Sequence, residues 1–251
     1  MTLVTYQNKL ETADFNNMPI TEQRIFFAIC SFLVDKGDNL VTIEQRELLP
    51  RITRGKMVQY TQFHRGIMGL HKRMKDFVVY NEDGTEQKVF QVFFVDDTSH
   101  DVTVQIKVEL ADLFVSQNKL DDLISFHVED FLAYRSFRTA NLFRHFVEWK
   151  ELGEVEYTIE ELEKIIGKKK DNPSGKTLFY RALNDAKKLF PKHLAEFELV
   201  SIREGRRVVG YRGTWNAHLT MDNETLAGET FADFVSRPIK VTFDDKEDLF
   251  E

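Results

Sequence analysis

One cysteine, Cys30, stands in 251 residues. A lone cysteine excludes an intrachain disulfide and any zinc site built on cysteine. Its place in the apolar run Ile25-Phe26-Phe27-Ala28-Ile29-Cys30 fits a buried, inert thiol. The seven histidines form no His-x-His pair and no His-Glu-x-x-His motif. His64 and His71 lie a heptad apart, too far along a helix to share one ion easily. Neither metal-dependent nicking nor zincin chemistry therefore has a ligand set, and no cofactor is implied. Ser174-Gly175-Lys176-Thr177 looks like the end of a phosphate-binding loop, but Lys170 stands where the first glycine of that motif belongs. The segment also follows a helical pattern, Glu160–Gly167, and not a buried strand. No acid/base constellation appears either, so the expectation is a non-enzymatic protein. There is no signal-peptide pattern and no run of 18 apolar residues, which points to a soluble, cytoplasmic chain.

What is present is a sequence that repeats itself. Displaced by 116 positions, Phe27, Gly37, Thr42, Ile43, Glu44, Glu47, Thr61, Phe63, Arg65 and Lys72 fall on Phe143, Gly153, Thr158, Ile159, Glu160, Glu163, Thr177, Phe179, Arg181 and Lys188. Each copy runs from an apolar helix through a glycine break and a Thr-Ile-Glu helix start into a basic helix. That is the order of a helix-turn-helix core, present twice. The length suits two domains, and an apolar content of 42% with 22 phenylalanines supports real cores. Nothing in the sequence alone explains the preference for phenylalanine.

Residues 3–14 and 22–36 read as helices separated by Pro19, with Thr21 able to cap the second and Gly37 ending it. Thr42-Ile43-Glu44-Gln45 reads as a capping box, followed by a short helix that stops near Pro50. A long helix is expected over 56–75. Three β-rich runs follow, Phe77–Tyr80, Lys88–Val95 and Asp101–Val108, with a turn signal at Asn81-Glu82-Asp83-Gly84. Hairpin strands after a third helix make the wing of a winged helix. Residues 109–124 read as a helix, and 125–135 lead into the second copy. There the pattern predicts a helix over Ser136–Leu152, a strand at Val155–Tyr157, a capping box at Thr158-Ile159-Glu160-Glu161 and a basic helix after Pro173 with Ser174 as N-cap. A hairpin, Phe197–Arg203 and Arg206–Arg212, closes around Glu204-Gly205. The expected fold is α+β: two tandem winged-helix domains, 1–124 and 125–215, followed by an acidic, flexible tail, 216–251.

A net charge of −7 seems wrong for a DNA binder, but its distribution decides the matter. Between Arg51 and Lys75 lie Arg51, Arg54, Lys56, Arg65, Lys72, Arg73 and Lys75, with no acid among them. An equivalent window of the second copy holds Lys168, Lys169, Lys170, Lys176, Arg181, Lys187 and Lys188, against only Asp171 and Asp185. The tail after Trp215 carries nine acids against three bases. At about 100° per residue, Lys176, Tyr180, Arg181, Asn184, Lys187 and Lys188 share one helix face. Leu178, Phe179, Ala182, Leu183, Ala186, Leu189 and Phe190 share the other. The first face suits the major groove of double-stranded DNA: Arg181 can pair with guanine and Asn184 with adenine, while the lysines suit phosphates. A solvated helix face is the plain alternative. Arg203, Arg206, Arg207 and Arg212 on the neighbouring hairpin favour the DNA reading. The first copy is weaker. Arg54, Lys56, Arg65 and Lys72 can touch phosphates, but its wing is acidic, with Glu82, Asp83, Glu86, Asp96, Asp97 and Asp101. Gly66 and Gly69 inside its long helix admit close approach either of a phosphate backbone or of another helix.

Four stretches carry a family resemblance. They are Asn8-Lys9-Leu10 with Met18-Pro19-Ile20-Thr21-Glu22-Gln23-Arg24; Ser136-Phe137-Arg138 with Leu142-Phe143; Thr158-Ile159-Glu160-Glu161-Leu162; and Gly205-Arg206-Arg207-Val208-Val209-Gly210. In order and spacing they resemble plasmid replication initiators of the Rep_3 type. The resemblance implies tandem winged helices, the second reading repeated origin sites (iterons) and the first contacting DNA backbone and carrying a dimer interface. It implies monomers that initiate replication, dimers that repress the initiator's own promoter, and recruitment of a host helicase or initiator. It puts Lys176, Tyr180, Arg181, Asn184, Lys187 and Lys188 on the second recognition helix and Arg206 and Arg207 on its wing. The chain is short for the family and its first wing unusually acidic. The end of the tail, Asp248-Leu249-Phe250, resembles peptides that dock on the sliding clamp, although Lys246 replaces the usual leading glutamine. A dimeric winged-helix transcriptional repressor is the runner-up. A chromosome-architecture partner with little DNA contact is a further alternative, against which the basic faces argue.

Overall fold

The structure, a computed structural model, describes residues 3–13, 15, 18–36, 39–53, 60–99, 101–107, 110, 113–114, 123–128, 133–167 and 175–220. It contains two winged helices in tandem. In the first, α1 (Ile20–Lys36), β2 (Leu40–Ile43), α2 (Gln45–Thr53) and α3 (Tyr60–Met74) are followed by β5 (Phe90–Val95) and β6 (Val102–Ile106). In the second, α4 (Phe137–Val147), β8 (Glu154–Thr158), α5 (Ile159–Ile166) and α6 (Gly175–Leu189) are followed by β9 (Glu198–Glu204) and β10 (Arg207–Thr214). Each sheet is antiparallel, and the orders correspond: β2-β6-β5 in one copy and β8-β10-β9 in the other. The first copy adds a hairpin, β3 (Val78–Tyr80) with β4 (Glu86–Lys88), between α3 and the wing. This insertion explains why the 116-residue displacement holds through α3 and α6 and is lost afterwards. The turn predicted at Asn81–Gly84 closes this extra hairpin, with Gly84 at φ +79°. The wing itself turns at Asp96–Ser99, where the Asp96 carboxylate accepts from the Thr98 and Ser99 amides at 2.8 and 2.7 Å.

Three local expectations fail for identifiable reasons. Residues 3–14 do not form one helix. Leu3–Gln7 is a strand, β1, followed by a 3-10 turn over Asn8–Thr12. Its partner, β7 (Leu123–His127), lies far along the chain, with Val4 opposite Phe126 and Tyr6 opposite Ile124. A strand stabilised by so distant a partner has no local signature. Thr42 does not cap a helix: α2 starts three residues later, at Gln45, and the Thr42 hydroxyl lies 3.1 Å from that of Thr103 across the sheet. The first turn of α2 is tied instead by the Asp101 carboxylate, which accepts from the Gln45 amide at 3.0 Å. Pro50 does not stop α2. It removes one intrahelical bond, and the buried Leu48 and Ile52 hold the following turn against the core. The helix expected over 109–124 lies mainly outside the described residues, as does the tail beyond Thr220.

In the second copy the capping box at Thr158 is formed in both directions. The Thr158 hydroxyl accepts from the Glu161 amide at 3.2 Å, and the Glu161 carboxylate accepts from the Thr158 amide at 2.8 Å. These bonds hold the Glu161 carboxyl below the usual carboxylate range. Gly167, at φ +69°, ends the helix.

The buried side chains of both copies form one contiguous core. Here the phenylalanine content finds its use. Phe15, Phe26, Phe77, Phe90 and Phe93 stack through the first copy, and Phe143, Phe190, Phe146, Phe197 and Trp215 through the second. Phe27 and Phe126 join them, with centroids 5.2 Å apart, and Phe126 lies 6.2 Å from Phe143. Each such pair adds about 0.5–1.5 kcal/mol beyond area burial.

Polar groups fix the joint. Gln23 donates from Nε2 to Asn141 Oδ1 at 3.0 Å, and Arg24 donates to the Tyr134 carbonyl at 2.7 Å. Arg144 is 1% exposed; its guanidinium stands 4.0 Å over the Phe15 ring and its Nε lies 3.3 Å from Glu11. The Tyr6 hydroxyl donates to the same carboxylate at 2.5 Å. Burial, reinforced by Glu11, pushes the Tyr6 hydroxyl well above its usual titration range.

Candidate nucleic-acid interface

Helix α6 owes its two faces to its spacing. Phe179, Ala182, Leu183 and Ala186 are buried against the core, and Leu178 and Leu189 are half-buried. Lys176, Thr177, Tyr180, Arg181, Asn184, Lys187 and Lys188 are exposed. Asp185, the acid that breaks the pattern, is half-buried and accepts from the Thr139 hydroxyl of α4 at 3.3 Å. It thus ties α6 to its own domain and leaves the outer face without an acid. Arg203, Arg206 and Arg207 are all exposed at the tip of the β9–β10 wing, whose turn is made by Gly205 at φ +59°. A cleft of about 410 Å³ runs between the wing and the helix, lined in part by Lys176, Tyr180 and Arg207. The structure therefore brings Lys176 and Tyr180 of the helix and Arg207 of the wing to one cleft, with Glu160 and Glu163 of α5 also on its wall. Arg212 is the exception among the hairpin arginines, because it pairs across the sheet with Glu156 of β8. Lys168, Lys169 and Lys170 lie outside the described residues.

The corresponding face of α3 is sparser. Phe63, Ile67, Leu70 and Met74 are buried, while Arg65 and Lys72 are exposed. Two cations of that window are held by protein: Arg73 by Glu22 at 2.5 Å, and Arg51 by Asp35 at 2.8 Å and by the Phe32 ring beneath it. Gly66 and Gly69 serve helix packing. A Cβ on Gly66 would stand 2.9 Å from Ile25 and Thr21, and one on Gly69 would stand 2.4 Å from the Glu22 carboxylate. The partner they admit is α1. Arg54 and Lys56 lie outside the described residues, as do Leu249 and Phe250. The side chain of Tyr60 does too.

Of the acids read as the first wing, Glu82, Asp83 and Glu86 belong to the extra β3–β4 hairpin, and several of the acids are structural. The Asp83 carboxyl sits below the usual range because Thr85 donates to it from hydroxyl and amide. Asp96 and Asp101 bind backbone amides as described above. The outer face of the β2-β6-β5 sheet, however, exposes large apolar side chains. Leu40, Val92 and Phe94 are 49%, 37% and 53% exposed, in rows with Gln105 and Thr103.

The residues missed by pattern reading are those of the joint. Asn141 and Arg144 lie on the polar stripe of α4, which periodicity assigns to solvent. Here that stripe faces Glu11, Phe15 and Gln23 of the first copy. An arginine three residues after an asparagine on a mostly apolar helix was the available signal, and it does not name a partner.

Among the described residues, no helix is long and apolar enough to cross a membrane, and no group of acids, histidines and cysteine could hold a metal ion. A family model described as "Initiator Replication protein, WH1" matches residues 3–147. Among solved structures, the Pi initiator protein in complex with iteron DNA is similar over 85% of this chain and 96% of that one, with a TM-score of 0.66 at 11% identity. Domains 2–3 of RctB are similar over 80% of this chain and 84% of that one, with a TM-score of 0.46 at 11% identity. No curated protein matches.

Proposed function

The chain belongs to the initiator replication protein family, matched over residues 3–147, and from that premise we propose that it is a plasmid replication initiator that grips the direct repeats of its origin. In this reading α6 enters the major groove and the β9–β10 wing lies on the adjacent backbone. Lys176, Tyr180, Arg181, Asn184, Lys187 and Lys188 act from the helix, and Arg203, Arg206 and Arg207 from the wing. Lys168, Lys169 and Lys170 precede the helix and add phosphate contacts. The first winged helix contributes backbone contacts through Arg54, Lys56, Arg65 and Lys72. The carrying observation is the outer face of α6, exposed and free of acid beside three exposed wing arginines. The neighbouring structure of like fold is bound to iteron DNA, which supports transfer of that ligand class to this chain.

Binding to the repeats strains the adjacent AT-rich duplex, and the protein recruits host replication proteins, the sliding clamp among them through Leu249 and Phe250. Self-association as a dimer represses its own gene. The apolar outer face carrying Leu40, Val92 and Phe94 supports a protein-contact role for the first sheet. The test is replication of a plasmid carrying the parent origin, together with footprinting of that origin by the purified chain. Protection of tandem repeats that is lost with Arg181→Ala is the expected result. Footprints confined to a promoter, with replication independent of the chain, would establish the repressor reading instead.

A further inference from the structure

The exposed face of α6 is made of hydrogen-bonding side chains, one of which also presents an aromatic ring. Tyr180 is 45% exposed and stands at its centre, with Lys176 one turn before, Asn184 one turn after and Arg181 beside it. Its ring is steadied edge-on by Phe179, centroids 5.6 Å apart at 84°. It also walls the cleft between helix and wing, which Val208 lines too. Nitrogen donors suit the N7 and O6 acceptors of purines; an aromatic ring does not. The one apolar feature of the major-groove edge is the 5-methyl group of thymine. Two further observations favour a base over a phosphate at this place. Glu160 and Glu163 line the same cleft, where they would repel a phosphate. Tyr180 also lies in the first half of α6, and N-terminal residues of recognition helices are the ones that reach base edges.

We propose that Tyr180 is a specificity-determining residue that packs its ring on the 5-methyl group of a thymine, beside bases contacted by Arg181 and Asn184. The ring, not the hydroxyl, carries the contact. The inference rests on α6 being the recognition helix, and the test separates the two.

The full chain is used to select a duplex from a random library. Each thymine of that duplex is then replaced singly by deoxyuridine, which removes only the methyl group. Wild-type protein should bind about fourfold more weakly at one or two positions, the effect of one buried carbon. Tyr180→Ala should bind the thymine duplex more weakly and be indifferent to those replacements. Tyr180→Phe should keep both affinity and discrimination. Sequence-preferring binding with a flat response to deoxyuridine overturns the inference and leaves the recognition helix standing. So does a response that survives in Tyr180→Ala, or a Tyr180→Phe protein as impaired as the alanine variant. Selection that yields no preferred duplex overturns the reading of α6 and this inference together.

Discussion

Helices α3 and α6 occupy the same place in two copies of one fold, and both bury Phe at equivalent positions, Phe63 and Phe179. Their outer faces are built differently. Around α6 the cations are exposed, and the helix's one acid is tied back to α4. Around α3, Arg73 is tied to Glu22 of α1, and Gly66 and Gly69 bring that helix close. Arg51 of the same basic window is tied to Asp35. The wings diverge in the same sense: arginines at the tip of the second, aspartates and an exposed apolar sheet face on the first. The two copies therefore share a frame and present differently charged surfaces. The second leaves its helix cations to solvent, and the first uses part of its window to pack and pair with α1. Lysine and arginine counts alone cannot distinguish these uses, because a cation neutralised by a carboxylate of its own fold contributes little to a phosphate.

That contrast can be broken, first, by salt. If the second copy supplies most of some six to ten phosphate contacts, affinity for duplex DNA should fall by roughly 10³–10⁵ between about 50 and 200 mM salt. Fluorescence anisotropy would show it, and a flat response would remove the electrostatic basis of the difference. The joint between the copies comes next. Arg144→Met leaves the Glu11 carboxylate buried without its cation, and should cost about 3–5 kcal/mol in urea unfolding. Adding Glu11→Gln should recover much of the loss. Unfolding of the second copy alone, with the first unaffected, would mean that the shared core does not couple them.

A sharper version sets equivalent arginines against each other. Arg181→Ala should cost about 1–3 kcal/mol on preferred sites and relax sequence preference. Arg65→Ala should weaken all sequences alike and lower the salt slope by about one. Equal behaviour of the two would reassign Arg181 to the backbone. The smallest effect compares two threonines at matching positions. Thr158→Ala removes a formed capping box and should cost about 1 kcal/mol. Thr42→Ala, on an exposed strand position, should stay within about 0.5 kcal/mol. Thermal denaturation would resolve the pair.

Thr42 and Thr158 also show where local reading succeeds and where it does not. Both head the same Thr-Ile-Glu pattern, and the pattern is a helix start in one copy only. In the other, α2 starts at Gln45, and the Asp101 carboxylate, just ahead of β6, accepts from its first amide. The face of α6 was legible because helical period and burial coincide over fifteen residues. The β8–β10–β9 sheet was legible because its strands are bounded by Gly153 and Gly205, both at positive φ. The strand β1 was not, since its hydrogen bonds go to residues 123–127. Nor was the role of Asn141 and Arg144, whose polar character reads as exposure until a second domain covers it.

The sequence by itself determined the number of repeats, the class of fold and the side of α6 that faces outward, because periodicity and charge act over one or two turns and need no distant partner. Only the tertiary structure decided which cations are consumed by the protein, what the helix glycines approach, and that the phenylalanines run as one core through both copies. Those outcomes depend on contacts between residues far apart in the chain. Their energies follow from burial and pairing in space, which order along the sequence does not encode locally.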